Sequence, residues 1–238
     1  MTDPRHADRE PEEISGPRRV RSFVLRQGRI TPAQAQAFDD HWSRFGLDYG
    51  EQRIDLQSLF ARPAPVILEI GFGNGEQLLH AALNEPLRNF IGIEVHRPGV
   101  GRLMNGLAVA NLDNVRISNH DAVEVIEHQL APDSLDEVRI YFPDPWPKIR
   151  HHKRRLIQPD FVELLATRVR TGGLLHLATD WAEYAGHMLD VVDSSGRWRN
   201  RAGLGAYSEA PHWRINTHFE KRGVRLGHGV RDLIHERV

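Results

Sequence analysis

The chain has 238 residues, 40% hydrophobic and 26% charged, with a formal net charge of −1. That is the balance of an ordinary globular fold, long enough for one large α/β domain. It contains no cysteine, so disulfides, thiolate catalysis and cysteine-bound zinc are excluded, and its 14 histidines follow no zinc-ligand spacing, so no metal is expected. No segment approaches the roughly 18 apolar residues of a membrane span, and no apolar signal-like stretch opens the chain, so a cytoplasmic protein is expected. With near-zero net charge, any affinity for nucleic acid has to come from a local patch.

Residues 1–20 are rich in Pro, Gly, Glu and Arg and read as a disordered tail. Residues 21–238 read as a single domain. It opens with a basic arm (Arg21, Arg26 and Arg29 interleaved with Phe23, Val24 and Leu25) that suits either a strap over a ligand edge or a simple packing arm. Thr31, Pro32 and Gln34 form a helix start, with Thr31 as N-cap and Gln34 as its reciprocal partner; Gly46 is the expected end. Pro63 and Pro65 punctuate the entry to the first strand.

From Val66 the pattern alternates between short apolar runs and helical spacing. Strands are expected at 66–70, 90–94, 115–118, 138–142 and 174–179, with helical patterns such as 161–166 between them. This is the signature of a mostly parallel sheet with helices on both faces. The first strand runs into Gly71, Gly73 and Gly75, then a helix. A glycine turn opening a helix lets the backbone approach a ligand and presents free N–H groups at the strand's carboxyl end.

Five carboxylates, Glu69, Glu94, Asp121, Asp144 and Asp180, stand at or just past strand ends, the first four separated by 25, 27 and 23 residues. Each interval is one strand–helix unit, and right-handed crossovers return parallel strands in the same direction, so the acids are expected along one sheet edge. Like charges gathered in this way call for cationic or hydrogen-donating ligands among them. Glu94 suits ribose hydroxyls, Asp121 an adenine amino group and Glu69 a cationic amino-acid tail. A pyrophosphate would be repelled by Glu69 and Glu76, which sets a nicotinamide dehydrogenase aside in favour of S-adenosylmethionine: a ribose, an adenine, an ammonium and a sulfonium with no phosphate.

After the fourth strand comes Pro143-Asp144-Pro145-Trp146-Pro147-Lys148. Three prolines stiffen the backbone around a carboxylate and a flat aromatic, a pairing that can hydrogen-bond and stack on a nucleobase. It leads into Arg150, His151, His152, Lys153, Arg154 and Arg155, a candidate track for phosphates. Thr217 and Glu220 stand three apart, as in a helix capping box.

These residues carry a resemblance. Leu68 to Gly73, Pro143 to Lys148 with the basic run 150–155, Thr179-Asp180-Trp181, Thr217-His218-Phe219-Glu220, and the arm Arg21-Ser22-Phe23 with Arg26-Gln27-Gly28-Arg29 are similar to the motifs of the bacterial tRNA (guanine-N7)-methyltransferases. The resemblance implies a single Rossmann-like class I methyltransferase domain with a seven-stranded sheet. It implies S-adenosyl-L-methionine held by Glu69, Gly71, Gly73, Glu94, Asp121 and Asp144, with Asp144 also catalytic. It implies substrate contacts from Lys148, Asp180, Thr217, His218, Phe219 and Glu220, RNA contacts along 150–155, and a guanine of the tRNA variable loop as target, in a monomer or homodimer. The chain departs from the pattern at Asn74, Ile149, Ala182 and His218, where Met, Lys, an acid and Lys are usual. The competing classes are a methyltransferase for another RNA base and a non-catalytic RNA-binding module on the same fold.

Overall fold

The structure is a computed structural model that describes residues 22–23, 28–215 and 229–238. The expected tail, most of the basic arm, and Thr217, His218, Phe219 and Glu220 lie outside those residues. In chain order the elements are α1 (Pro32–Phe45), β1 (Gly46–Leu47), α2 (Leu56–Phe60), β2 (Val66–Ile70), α3 (Glu76–Asn84), β3 (Asn89–Ile93), α4 (Arg97–Val109), β4 (Val115–Ser118), α5 (Ala122–His128), β5 (Leu135–Tyr141), a 3₁₀ turn (Ile149–Arg154), α6 (Pro159–Arg168), β6 (Val169–Thr179), α7 (Ala182–Asp193), β7 (Trp198–Asn200) and β8 (Arg231–Arg237).

Local chemistry explains where these elements start. The Thr31 hydroxyl accepts from the Gln34 backbone N–H at 3.3 Å, and Gln34 Oε1 accepts from the Thr31 N–H at 2.9 Å, so two otherwise orphaned donors of α1 are satisfied reciprocally. Gly46 does end α1, but with an extended φ of −72° rather than a left-handed cap, because the chain passes directly into β1. Glycine is needed there for space: a β-carbon would stand 2.3 Å from the Trp42 ring.

All the strands join one sheet in the order β1-β4-β3-β2-β5-β6-β8-β7, parallel from β1 to β6, with β8 antiparallel to both its neighbours. Eight strands stand where seven were expected; the difference is the two-residue β1 on the edge of β4. Helices cover both faces, which is why every residue of β2 and β3 is buried. On one face Ile67, Phe90 and Ile117 pack with α1, α3 and α4; on the other Leu68, Ile93, Ile140 and Leu177 pack with α5, α6 and α7. Each such aliphatic side chain contributes about 1.5–3 kcal/mol by leaving water.

The first face turns polar toward β8. Arg139 is 1% exposed and donates to Glu137 at 2.7 Å and Glu85 at 3.3 Å. Beside it, His176 meets Asp232 at 2.8 Å and the Tyr141 hydroxyl at 2.8 Å, and Arg214 donates to Asp232 at 2.7 and 3.0 Å. Burial holds His176 below its ordinary pKa despite Asp232, so the ring is neutral. Its one proton then lies on Nε2 toward the carboxylate, and Nδ1 accepts from Tyr141.

β2 is where strand order reverses: β3 follows on one side and β5 lies on the other. In open α/β sheets the carboxyl ends at such a point form a crevice.

Candidate functional site

A cleft of about 280 Å³ opens at that crevice. Its apolar surfaces come from Ile70, Ile93, Ile140 and Ala122. Its carboxylates come from three different strand ends: Glu94 after β3, Asp121 after β4, and Asp144 in the loop after β5. No lysine or arginine is among the described residues that line it.

The glycine turn forms one wall. Gly71, Gly73 and Gly75 all have positive φ, at 73°, 57° and 77°, a backbone region closed to most side chains. Nothing lies within 4 Å of where a β-carbon would stand on Gly71 or Gly73, so that side of the turn is open. Helix α4 packs tightly against the turn: a β-carbon on Gly99 would stand 1.9 Å from the Gly73 carbonyl oxygen.

Glu94 ties this wall to β3. Its Oε2 accepts from the Gly73 N–H at 2.8 Å, and its Oε1 from the N–H groups of Val95 and His96 at 2.8 and 2.9 Å. A carboxylate has about four acceptor sites, so one remains for a ligand hydroxyl. Asp121 caps α5 by accepting from the Val123 N–H at 2.9 Å through Oδ1, and it lines the cleft.

Glu69 departs from expectation. It is 3% exposed and is not among the cleft-lining residues. Burial pushes its carboxyl up to about 8, against the pull of Arg139, and its Oε2 has no hydrogen-bond partner. The clue was in the strand itself: in a strand buried on both faces, the acid at the fourth position is also inside.

The reaction loop is held in an unusual shape. Phe142 and Trp146 adopt φ of 52° and 45°, the left-handed region that disfavours side chains. Phe142 N–H donates to Ala178 O at 2.8 Å, and the Trp146 indole N–H donates to Ser22 O at 3.1 Å. Ser22 and Phe23 line the cleft, so this described part of the arm does lie over the ligand edge. Tyr141, His96 and His120 line it as well, though no motif singled them out.

Lys148 follows in the same loop, exposed, and Asp180 follows β6, so both sit on this edge of the sheet but outside the cleft. Of the basic run, Arg150 and Lys153 are exposed, and His151, His152 and Arg154 are half-buried, with the Arg154 guanidinium 5.0 Å over the Trp146 ring. What burial it has, and then the surrounding cations, hold His151 below its ordinary pKa. Arg155 corrects the expectation of an RNA contact: at 2% exposure it is turned into the protein, bonded to Glu183 and the Pro145 carbonyl.

The chain is similar to known proteins both in sequence and in fold. A family model described as "Putative methyltransferase" matches residues 63–233. A tRNA (guanine-N(7)-)-methyltransferase of Xanthomonas campestris pv. campestris is 57% identical over 243 residues, covering 100% of this chain and 93% of its own. One of Xylella fastidiosa is 57% identical over 221 residues, covering 93% of this chain and 91% of its own. Among solved structures, the 16S rRNA methyltransferase KamB superposes with a TM-score of 0.57 at 15% identity, covering 82% of this chain and 98% of that one. A 16S rRNA (adenine(1408)-N(1))-methyltransferase from Catenulisporales acidiphilia, solved with SAM, superposes at 0.52 and 16% identity over 79% and 95%. At such identities these two speak for the fold alone.

Proposed function

This chain belongs to the tRNA (guanine-N(7)-)-methyltransferase family, and from that premise we propose how its cleft and loop divide the work. The protein methylates N7 of a guanine in tRNA, with S-adenosylmethionine as methyl donor. The cleft suits that donor. Three carboxylates in one cleft match its positive charge, the open faces of Gly71 and Gly73 leave room against the backbone, and Glu69 Oε2 is a buried carboxyl oxygen with no hydrogen-bond partner. When bound, the donor supplies an electrophilic methyl on a sulfonium.

In this reading Glu94 uses its remaining acceptor site for a ribose hydroxyl, and Asp121 accepts from the adenine amino group. Glu69, at the base of the glycine turn, is protonated in the fold by itself and answers the ammonium charge by giving up that proton when the ligand binds, since an adjacent cation favours the carboxylate. Guanine N7 has an in-plane lone pair and no proton, so no general base is needed. What the chain must do is align the base and stabilise the positive charge that spreads over its ring. Asp144 is exposed, lines the cleft and is framed by prolines, so it takes the second task. Trp146, Lys148 and Asp180 place the guanine, joined by Thr217, His218, Phe219 and Glu220. Arg150, Lys153 and Arg154 meet phosphates. The target is a guanine of the variable loop, and a tRNA substrate puts the work in the cytoplasm.

The observation that carries this reading is the meeting of Glu94, Asp121 and Asp144, from three strand ends, in one cleft. The test is to incubate the protein with methyl-labelled S-adenosylmethionine and total tRNA and identify the product nucleosides by mass. Labelled 7-methylguanosine from the variable loop is expected; label on another base, or none, overturns it.

A further inference from the structure

The six residues 150–155 look alike in sequence, but Arg155 alone is buried. Its guanidinium is engaged on nearly every side. Nε donates to Pro145 O at 3.0 Å, Nη1 donates to Glu183 Oε1 at 3.0 Å, and Nη2 contacts both Glu183 Oε2 and His152 Nε2. The plane lies 4.8 Å over the Tyr184 ring. A side chain so committed has no face left for a phosphate.

The two ends of this contact are informative. The Pro145 carbonyl belongs to the peptide between Pro145 and Trp146, and Trp146 holds a φ of 45°. A donor on that carbonyl fixes which way the peptide faces, and with it the direction in which Asp144 and Trp146 leave the backbone. Glu183 lies in the first turn of α7, three residues after Asp180. Its hydrogen bonds from Arg155 hold it below the ordinary carboxylate range, so it is ionised at neutral pH. One planar cation therefore joins the loop carrying Asp144 to the segment carrying Asp180.

We propose that Arg155, seated by Glu183, is a positioning residue that sets the Asp144–Trp146 loop against the Asp180 segment, and is not part of the RNA track. The proposal rests on the reading of Asp144 and Asp180 given above. It needs the fork of a guanidinium: a lysine ammonium is a point donor and cannot grip Pro145 O and both Glu183 oxygens at once.

The test uses the full chain, with single-turnover rates at saturating S-adenosylmethionine and tRNA, cofactor affinity by calorimetry, and tRNA affinity across a salt series, all well below each variant's Tm. Arg155→Lys is expected to slow the chemical step about 10- to 100-fold, the scale of a misplaced reacting group. Cofactor affinity should stay within about two-fold, and the salt slope should not change in the charge-removing variant Arg155→Met. Glu183→Gln, on a half-exposed side chain, should slow the step by less; it carries the test alone if Arg155→Lys does not fold. Arg155→Met supplies the salt arm, because a lysine would keep a phosphate contact: a slope reduced by about one in Arg155→Met, with a wild-type rate at saturation in Arg155→Lys, overturns the proposal in favour of a phosphate contact. Wild-type rates in Arg155→Lys and Glu183→Gln overturn it in favour of plain packing. Asp144→Asn separates the two readings: if it keeps the wild-type rate while Arg155→Lys does not, the assignment of Asp144 fails and the positioning of the loop stands.

Discussion

Glu94 and Gly73 are joined across the mouth of the crevice: the carboxylate on β3 accepts the turn's N–H at 2.8 Å, and its other oxygen accepts two more N–H groups from its own strand end. The acid is thus part of the wall before it is part of the ligand site. Glu94→Ala should cost about 1–3 kcal/mol of stability in urea melts, the penalty of unsatisfied backbone donors, and weaken cofactor binding by at least about tenfold. An unchanged Kd in calorimetry would leave Glu94 with a structural role only.

Glu69 gives the protein a pH dependence of a definite sign. Burial pushes its carboxyl up to about 8 in the fold, against an ordinary value of 4.5 in the unfolded chain. Between those values the folded chain holds a proton that the unfolded chain has released. This contribution to stability is therefore full below about pH 4.5 and is lost as pH rises to about 8, on the order of a few kcal/mol. Glu69→Gln should flatten that slope and make the protein more stable than the parent near pH 8. Parallel stability curves for the two proteins would show that Glu69 is already ionised at neutral pH.

Asp144→Asn keeps the shape of the side chain and removes its charge. Single-turnover rates should fall about 100-fold or more, with cofactor affinity changed much less, as for loss of an electrostatic partner to a developing charge. Equal rates would remove Asp144 from the chemistry.

Arg150 and Lys153 are the exposed cations of the run. Replacing both by alanine should lower the slope of log K against log salt for tRNA by up to about two, because each phosphate contact releases about one counterion. Filter-binding isotherms at several salt concentrations read this directly, and an unchanged slope would move the RNA track elsewhere.

Asp232 joins His176 and Arg214 inside the sheet's polar end. Asp232→Ala removes the buried carboxylate that His176 and Arg214 share and should cost about 3–5 kcal/mol, well above a surface substitution. A loss under about 1 kcal/mol in denaturant titrations would mean that water reaches Arg214 in the variant.

Much of this was legible because it repeats. Acids one strand–helix unit apart had to come to the same edge, and β2 to β6 fell near where apolar runs ended. The exceptions are contacts with no local signature. β1 is two residues held only by β4, and β8 finds its place between β6 and β7 through antiparallel pairing with strands well upstream. Arg155 reads as one more cation in a charged string, because what buries it is Glu183, 28 residues on. Glu69 was found as a strand-end acid, but its depth depends on helices covering both faces, and that is a property of the whole sheet.

The left-handed backbone of Phe142 and Trp146 has a thermal consequence. That shape is upheld by three separated parts of the chain: the Ala178 carbonyl on β6, the Ser22 carbonyl in the arm, and Arg155 on the Pro145 carbonyl. Ala178 belongs to the buried sheet, but the Ser22 and Arg155 ties lie outside the hydrophobic layers that hold it together. On warming, these ties slacken while the layers are still intact, so methyl transfer fades several degrees before the far-ultraviolet signal of the helices does.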